Sequence, residues 1–275
     1  ARIQFLIANL GIDEFRQLVL DERKTLPADP RWTDFLNSVN EQSEQPLKAG
    51  VSLNGHQRPD GFEDWYRTNV YKQRQPGYVA ATVTLPLGDA SADQMRALAD
   101  IARHFVKDTL RTTVEQNILF RWVSEADLPE FYQAIKAIGL GAADAATIVD
   151  VTACPGTDTC KLGIASSRGL ARELRYQLGE KSLELDEAVK NLRIKVSGCF
   201  NSCGQHHIAD IGFYGINRNV KGFQVPHFQV ILGGKFHDNA GEYGVAIGAV
   251  PSKRVPEAVS TITEYYVRQR LKDER

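Results

Sequence analysis

The chain has four cysteines, Cys154, Cys160, Cys199 and Cys203, in the order C-x5-C, 38 intervening residues, C-x3-C. If the two close pairs act together, the fold must bring a turn near residue 157 against a turn near residue 201. Four thiolates of this kind hold an iron-sulfur cluster or a zinc ion, and disulfides between them are disfavoured in a reducing compartment. A structural zinc knuckle usually has gaps of about two to four residues, because both sulfurs must reach one small ion. The five-residue first gap is wide for zinc and suits the larger tetrahedron of a 4Fe-4S cubane. Zinc, and four unconnected buried thiols, stay open as plainer readings.

The flanking residues favour a bulky group. Pro155 and Gly156 bend the chain after Cys154 and free backbone N–H groups to point at sulfur, which stabilises added electron density. Gly198 and Gly204 bracket the second pair and permit close approach, although turn formation alone would also use glycine there. Asp158 is a cap candidate for a helix expected to open near Cys160.

Hydrophobic periodicity then places the elements. Residues 1–24 read as two short helices or one broken at Gly11, with a restart at Asp13, and residues 25–61, with four prolines, read as an irregular connector anchored by Trp65 and Tyr66. A strand over 78–87, an amphipathic helix from Ser91, a second strand over 113–123 and a helix over 127–140 form a compact α+β unit of split βαβ character. Beyond residue 146, a helix after the first cysteine pair, a strand over 192–198, strands in IADIGFYG and HFQVILGG and a final helix from Pro256 make a mixed α/β domain. The cysteine pairs fall at junctions of elements.

Composition excludes other classes. Lys plus Arg number 33 against 34 for Asp plus Glu, a balance that argues against a nucleic-acid partner, whose phosphates demand a basic surplus. There is no apolar run long enough to span a bilayer and no secretory leader, so no membrane partner is expected and a cytoplasmic location is. Gly233, Gly234, Gly241, Gly244 and Gly248 do not make the G-x-G-x-x-G dinucleotide spacing.

Taken whole, TACPGTDTCKLGIASSRGLA (152–171) followed by VSGCFNSCGQHHIADIGFYG (196–215) resembles the signature of the sirohaem and 4Fe-4S nitrite/sulfite reductases. A looser likeness runs from residue 62 to about 260. The resemblance implies an α+β fold in which a ferredoxin-like unit precedes a mixed α/β domain that binds cluster and sirohaem. Its implied division is 1–61 for the terminal helices of a preceding half plus connector, 62–125 for the ferredoxin-like unit, 126–145 for a linking helix and 146–275 for the cofactor domain. It implies a 4Fe-4S cluster held by Cys154, Cys160, Cys199 and Cys203, with Cys203 also bridging to sirohaem iron.

It further implies six-electron reduction of sulfite to sulfide or nitrite to ammonia, with a small inorganic anion as substrate and a ferredoxin or flavoprotein as electron donor. Arg111 matches a cofactor-facing arginine, Gln116 and Asn117 are placed to reach the macrocycle, and Asn201 to turn the loop or donate near cluster sulfur. Each also has a plain structural reading as surface charge or turn former. Lys161 and Arg168, on the expected helix, are candidates to offset cofactor charge, and Ser166 and Ser167 to meet a carboxylate or the backbone. His206 and His207 read as structural residues, as a proton relay or, least well, as ligands; His227 and His237 are uninformative. The family enzyme is longer and two-halved, so a missing amino-terminal half, with its anion-binding basic residues, is expected, and little activity from this chain alone.

Overall fold

The computed structural model describes residues 3–38, 44–55, 57–180, 185–235 and 242–271, so His237 and Gly241 lie outside the described residues. The chain divides at Gln45/Pro46 into two units. In the first, α1 (Ile3–Leu10) and α2 (Ile12–Thr25) are separated by Gly11, whose φ of 84° is a left-handed conformation that glycine adopts without cost. The second helix restarts at Ile12, and Asp13 pairs with Arg16 in its first turn instead of capping it. α3 (Arg31–Ser38) lies where the prolines suggest an irregular connector, with Pro30 just ahead of the helix that follows it.

The second unit has two sheets, each with its own core. Its first layer comprises α4 (Phe62–Asn69), β1 (Val70–Lys72), β2 (Tyr78–Val83), α5 (Ala92–Phe105), β3 (Arg111–Thr112), β4 (Ile118–Ser124) and α6 (Leu128–Ala137). The strands form an antiparallel sheet in the order β1-β2-β4-β3. Ser91 and Gln94 start α5 with a reciprocal capping box, and its apolar stripe buries Leu98, Ile101 and Phe105 against Phe120 and Phe131. Trp65 is fully buried between Phe62, Phe131 and Tyr132, so the aromatic anchor foreseen for the connector is a helix of the core. α6 buries Leu128, Phe131 and Ile135 in this same core.

One expected strand becomes a hairpin. TVEQN (113–117) is a tip, because Gln116 takes a left-handed φ of 67°, the Thr113 N–H donates to the Asn117 carbonyl at 2.9 Å, and the Asn117 N–H donates to Thr113 Oγ1 at 3.2 Å. The β-branched residues there suggest a strand, but a single left-handed residue reverses the chain.

The second layer holds β5 (Thr152–Ala153), α7 (Ser167–Glu180), α8 (Glu187–Lys190), β6 (Ile194–Ser197), β7 (Ile211–Val220), β8 (Phe223–Leu232), β9 (Val245–Pro251) and α9 (Val255–Gln269). Its sheet runs β5-β6-β7-β8-β9; the first three strands are mutually parallel and the last three antiparallel. All four residues of β6 are buried, as befits an inner parallel strand covered on both faces. α7 (Leu170, Ala171, Leu174) and α9 (Val255, Val259) close the core over Ile194, Val196, Phe213 and Phe228. β9 is an element that the glycine-interrupted VAIGAVP does not announce.

The helix after the first cysteine pair begins at Ser167, seven residues beyond Cys160, because Gly163 packs against the Gly156–Thr157 backbone in a turn. Asp158 caps nothing; its carboxylate pairs with Arg168 Nε at 3.3 Å. Among the described residues, no helix is long and apolar enough to cross a membrane.

A polar knot joins the layers. Asn117 Nδ2 donates to Asp150 Oδ2 at 2.9 Å, the Ala146 N–H donates to the same oxygen at 3.1 Å, and Arg175 of α7 donates to the Val149 carbonyl at 2.8 Å and to Asp144 at 2.7 Å. Asp150 is 5% exposed, and burial pushes its carboxyl up to about 6, with nearby Asp144 adding to the rise and Arg175 opposing it. The folded chain therefore binds this proton below about pH 6, whereas the unfolded carboxyl, at its ordinary 3.8, binds it only in stronger acid. Asp150 thus costs stability above the folded value, by about 2–3 kcal/mol at neutral pH, and the cost disappears as pH falls toward 4. Urea unfolding of wild type and Asp150→Asn at several pH values is expected to show the variant gaining about 2 kcal/mol relative to wild type between pH 4.5 and pH 7. A constant difference across that range contradicts the assignment.

Candidate metal centre

The parallel pairing of β5 with β6 sets the site. Thr152 lies opposite Lys195 and Ala153 opposite Val196, so Cys154 and Gly198–Cys199 emerge side by side from the carboxyl ends of neighbouring strands. That strand end is where open α/β sheets place their ligands, because side chains there point past the covered faces. The Cys154 N–H donates to the Val196 carbonyl at 3.1 Å, and the Gly198 N–H donates to Cys154 Sγ at 3.1 Å. One amide of the second cysteine block thus already serves the sulfur of the first.

Close packing depends on glycine. A Cβ at Gly198 would lie 2.6 Å from Gly156 Cα and 2.9 Å from the Ala165 carbonyl oxygen, and one at Gly204 would collide with the Val196 carbonyl. The Gly198 carbonyl also accepts the N–H groups of Ile164 (2.8 Å) and Ala165 (3.0 Å), tying the two cysteine loops together. Ser167 Oγ donates to the Cys154 carbonyl at 2.7 Å, and Ser166 Oγ accepts the Gly169 N–H at 3.2 Å, so both serines serve the backbone.

All four cysteines are free thiols; Cys154 and Cys199 are buried, Cys160 and Cys203 exposed. Among the described residues, no three Cys, His, Asp or Glu side chains are gathered as round a single metal ion. The donor set nevertheless fits an iron-sulfur cluster: four soft free thiols on two backbone-tied loops, one sulfur already accepting a backbone N–H, and glycines where a Cβ would block approach.

The other candidates are distributed round these loops. Gln116 forms a two-way clamp, its Nε2 donating to the Ala153 carbonyl at 2.9 Å and its Oε1 accepting the Ala153 N–H at 3.2 Å, so a side-chain amide covers the open edge of β5 just before Cys154. Asn117, 2% exposed, spends its amide on Asp150 and on the Leu85 N–H. Arg111 lies exposed on β3 opposite Leu119, and Asn201 is half-buried in the C-x3-C loop. Lys161 sits in the turn after Cys160 and not on a helix, while Arg168 is held by Asp89, Asp158 and the Leu87 carbonyl.

His206 is fully buried, with Nδ1 2.8 Å from Ser197 Oγ. Burial, with a smaller contribution from His207, drives its imidazole down to about 3, so it is neutral. Lys195 was not singled out from the sequence. It is 1% exposed inside β6, burial lowers its ammonium, and its Nζ lies 3.2 Å from Gln205 Oε1. A lysine set between Ile194 and Val196 is the sequence sign of it.

The fold sets a ferredoxin-like unit beside a mixed α/β domain that carries four free thiols on two tied loops, and sequence comparison specifies it further. The "Nitrite/Sulfite reductase ferredoxin-like half domain" matches residues 71–138 and the "Nitrite and sulphite reductase 4Fe-4S domain" matches 144–275. The chain belongs to the nitrite/sulfite reductase family. It is 26% identical over 284 residues to Sulfite reductase (ferredoxin) 2 of Mycolicibacterium paratuberculosis, covering 100% of this chain and 46% of the relative. It is 28% identical over 266 residues to the chloroplastic ferredoxin–nitrite reductase of Spinacia oleracea, covering 95% and 40%. The solved NirA protein of Mycobacterium tuberculosis superposes with a TM-score of 0.72 at 25% identity, over 100% of this chain and 46% of that one. A dissimilatory sulfite reductase I structure shares the fold alone, with a TM-score of 0.59 at 10% identity over 87% of this chain and 74% of that one. The chain spans about half the length of the curated relatives it matches.

The two exposures predict chemical behaviour. In metal-free, reduced protein, Cys160 and Cys203 are expected to react with iodoacetamide at least about tenfold faster than Cys154 and Cys199. Peptide mass spectrometry over a time course reads this directly, and equal rates at all four contradict the buried placement.

Proposed function

We propose that this chain is the cluster- and haem-carrying part of a sirohaem-dependent reductase of sulfite or nitrite. The observation that carries the reading is the meeting of Cys154 and Gly198–Cys199 at the ends of two parallel strands, with Cys203 exposed on the loop beyond. In this reading Cys154, Cys160 and Cys199 would hold a 4Fe-4S cluster, and Cys203 would hold both the cluster and the sirohaem. Bound there, the two groups would supply one-electron delivery to a small oxyanion, with six electrons needed per sulfite or nitrite reduced.

The chain's own residues place and tune that site. The Gly198 N–H offsets negative charge on the Cys154 sulfur, and Ser167 fixes the Cys154 carbonyl. Gln116 and Asn117 act through protein, Gln116 by clamping the strand that carries Cys154 and Asn117 by holding Asp150. Arg111 and Asn201 are the proposed contacts to the cofactors. The names of the ferredoxin-linked relatives favour ferredoxin over a flavoprotein as electron donor, and an amino-terminal half would supply the remaining basic residues for the substrate anion.

Anaerobically purified protein is expected to contain iron and acid-labile sulfide, to show a broad blue shoulder from the cluster and, when supplied with sirohaem, sharper Soret and red bands. Cys203→Ser is expected to lower cluster retention more than about tenfold while leaving the far-ultraviolet circular dichroism unchanged. Cluster absorption that never acquires haem bands would leave an electron-transfer or assembly module. Colourless protein with stoichiometric zinc and no iron sinks the reading.

A further inference from the structure

The C-x3-C loop leaves β6 at Ser197 and returns to the sheet as β7 at Ile211, so something must fix its far end, where Cys203 sits. The backbone alone does not do this cheaply. Ser202 and Gln205, on either side of Cys203–Gly204, both hold left-handed φ values, 60° and 59°, which non-glycine residues avoid. The Gln205 N–H donates to the Ser202 carbonyl at 2.8 Å, closing a tight turn round Cys203.

A single hydroxyl links the two ends. Ser197 Oγ, 1% exposed in β6, accepts the Gly204 N–H at 3.0 Å and lies 2.8 Å from His206 Nδ1. Gly204 has no room for a side chain against the Val196 carbonyl, and a Cβ at Gly212 of β7 would collide with the His206 carbonyl, so the backbone on both sides of the histidine is packed onto the sheet. The imidazole packs at a tilt against two neighbouring rings, its centroid 4.2 Å from that of His207 and 4.8 Å from that of Tyr214. Its Nε2 is buried with no partner among the described residues, and Nδ1 is the nitrogen that meets Ser197.

We infer that Ser197 and His206 form a positioning pair that holds the strained Cys199–Cys203 loop in the one arrangement that presents Cys203 outward while Cys199 stays buried. The pair acts through Cys203, and its effect on a bound cluster rests on the function proposed above, whereas its effect on the loop does not. The hydroxyl is the irreplaceable atom, because it alone reaches both Gly204 and His206.

The test uses the full chain in two forms. In metal-free protein, hydrogen exchange at the Gly204 amide is expected to speed up about tenfold in Ser197→Ala, to return to the wild-type rate in Ser197→Thr, which keeps the hydroxyl, and to speed up again in His206→Leu. Unchanged Gly204 exchange in Ser197→Ala overturns the pair. In iron- and sulfide-reconstituted protein, Ser197→Ala is expected to lose iron to a chelator about tenfold faster and to shift the electron paramagnetic resonance of the reduced cluster, with both restored by Ser197→Thr. A variant with faster Gly204 exchange but wild-type iron loss and resonance overturns the action through Cys203. Wild-type protein that takes up no iron sinks the proposed function instead, and the pair is then judged by Gly204 exchange alone.

Discussion

The parallel contact of Thr152–Ala153 with Lys195–Val196 is only two residues long, yet the candidate site depends on it. It brings together cysteine pairs separated by 38 residues of sequence, and it aligns their loops so that one loop's amide faces the other's sulfur. So short a strand has little cohesion of its own, since each backbone hydrogen bond contributes only about 1 kcal/mol net. The structure strengthens it from outside: Gln116 covers its open edge, Ser167 takes the Cys154 carbonyl, and Asn117 and Arg175 gather the segment just before it through Asp150 and the Val149 carbonyl.

Those supports come from both layers, which gives the ferredoxin-like unit a physical part in the site although it carries none of the four cysteines. Gln116 and Asn117 sit on a hairpin tip of the first sheet; Gln116 bonds β5 of the second, and Asn117 bonds Asp150 just ahead of β5 as well as Leu85 of its own layer. Leu87, from the loop after β2, is buried in the second core, and its carbonyl accepts Arg168 from α7. Burying Asp150 at this junction is unfavourable for its charged form, and the knot persists because every partner that would strand the carboxylate is itself anchored.

Much of the architecture was legible in the sequence. The helix start at Ser91, the helical stripe behind it and the apolar runs of β2, β6 and β8 obey local rules, and the structure follows them. The departures near the site have causes that the pattern of apolar residues does not carry. TVEQN turns at a left-handed Gln116, α7 starts late because Gly163 packs on a distant turn, and β9 forms by pairing with β8. The same holds for side-chain roles: Gln116 and Asn117 were readable as polar residues near a cofactor, but which atoms take up their amides is set by the packing of two sheets.

By itself, then, the sequence determined the chemistry available: four soft thiols in two unequal pairs, flanked by glycines, in a chain whose motifs place it in one reductase family. Only the tertiary structure decided how those thiols differ. Cys154 and Cys199 are buried because they follow closely on the paired ends of β5 and β6, and Cys160 and Cys203 are exposed because they sit on turns beyond them. Spacing counts residues along the chain, whereas exposure depends on which distant strand lies alongside.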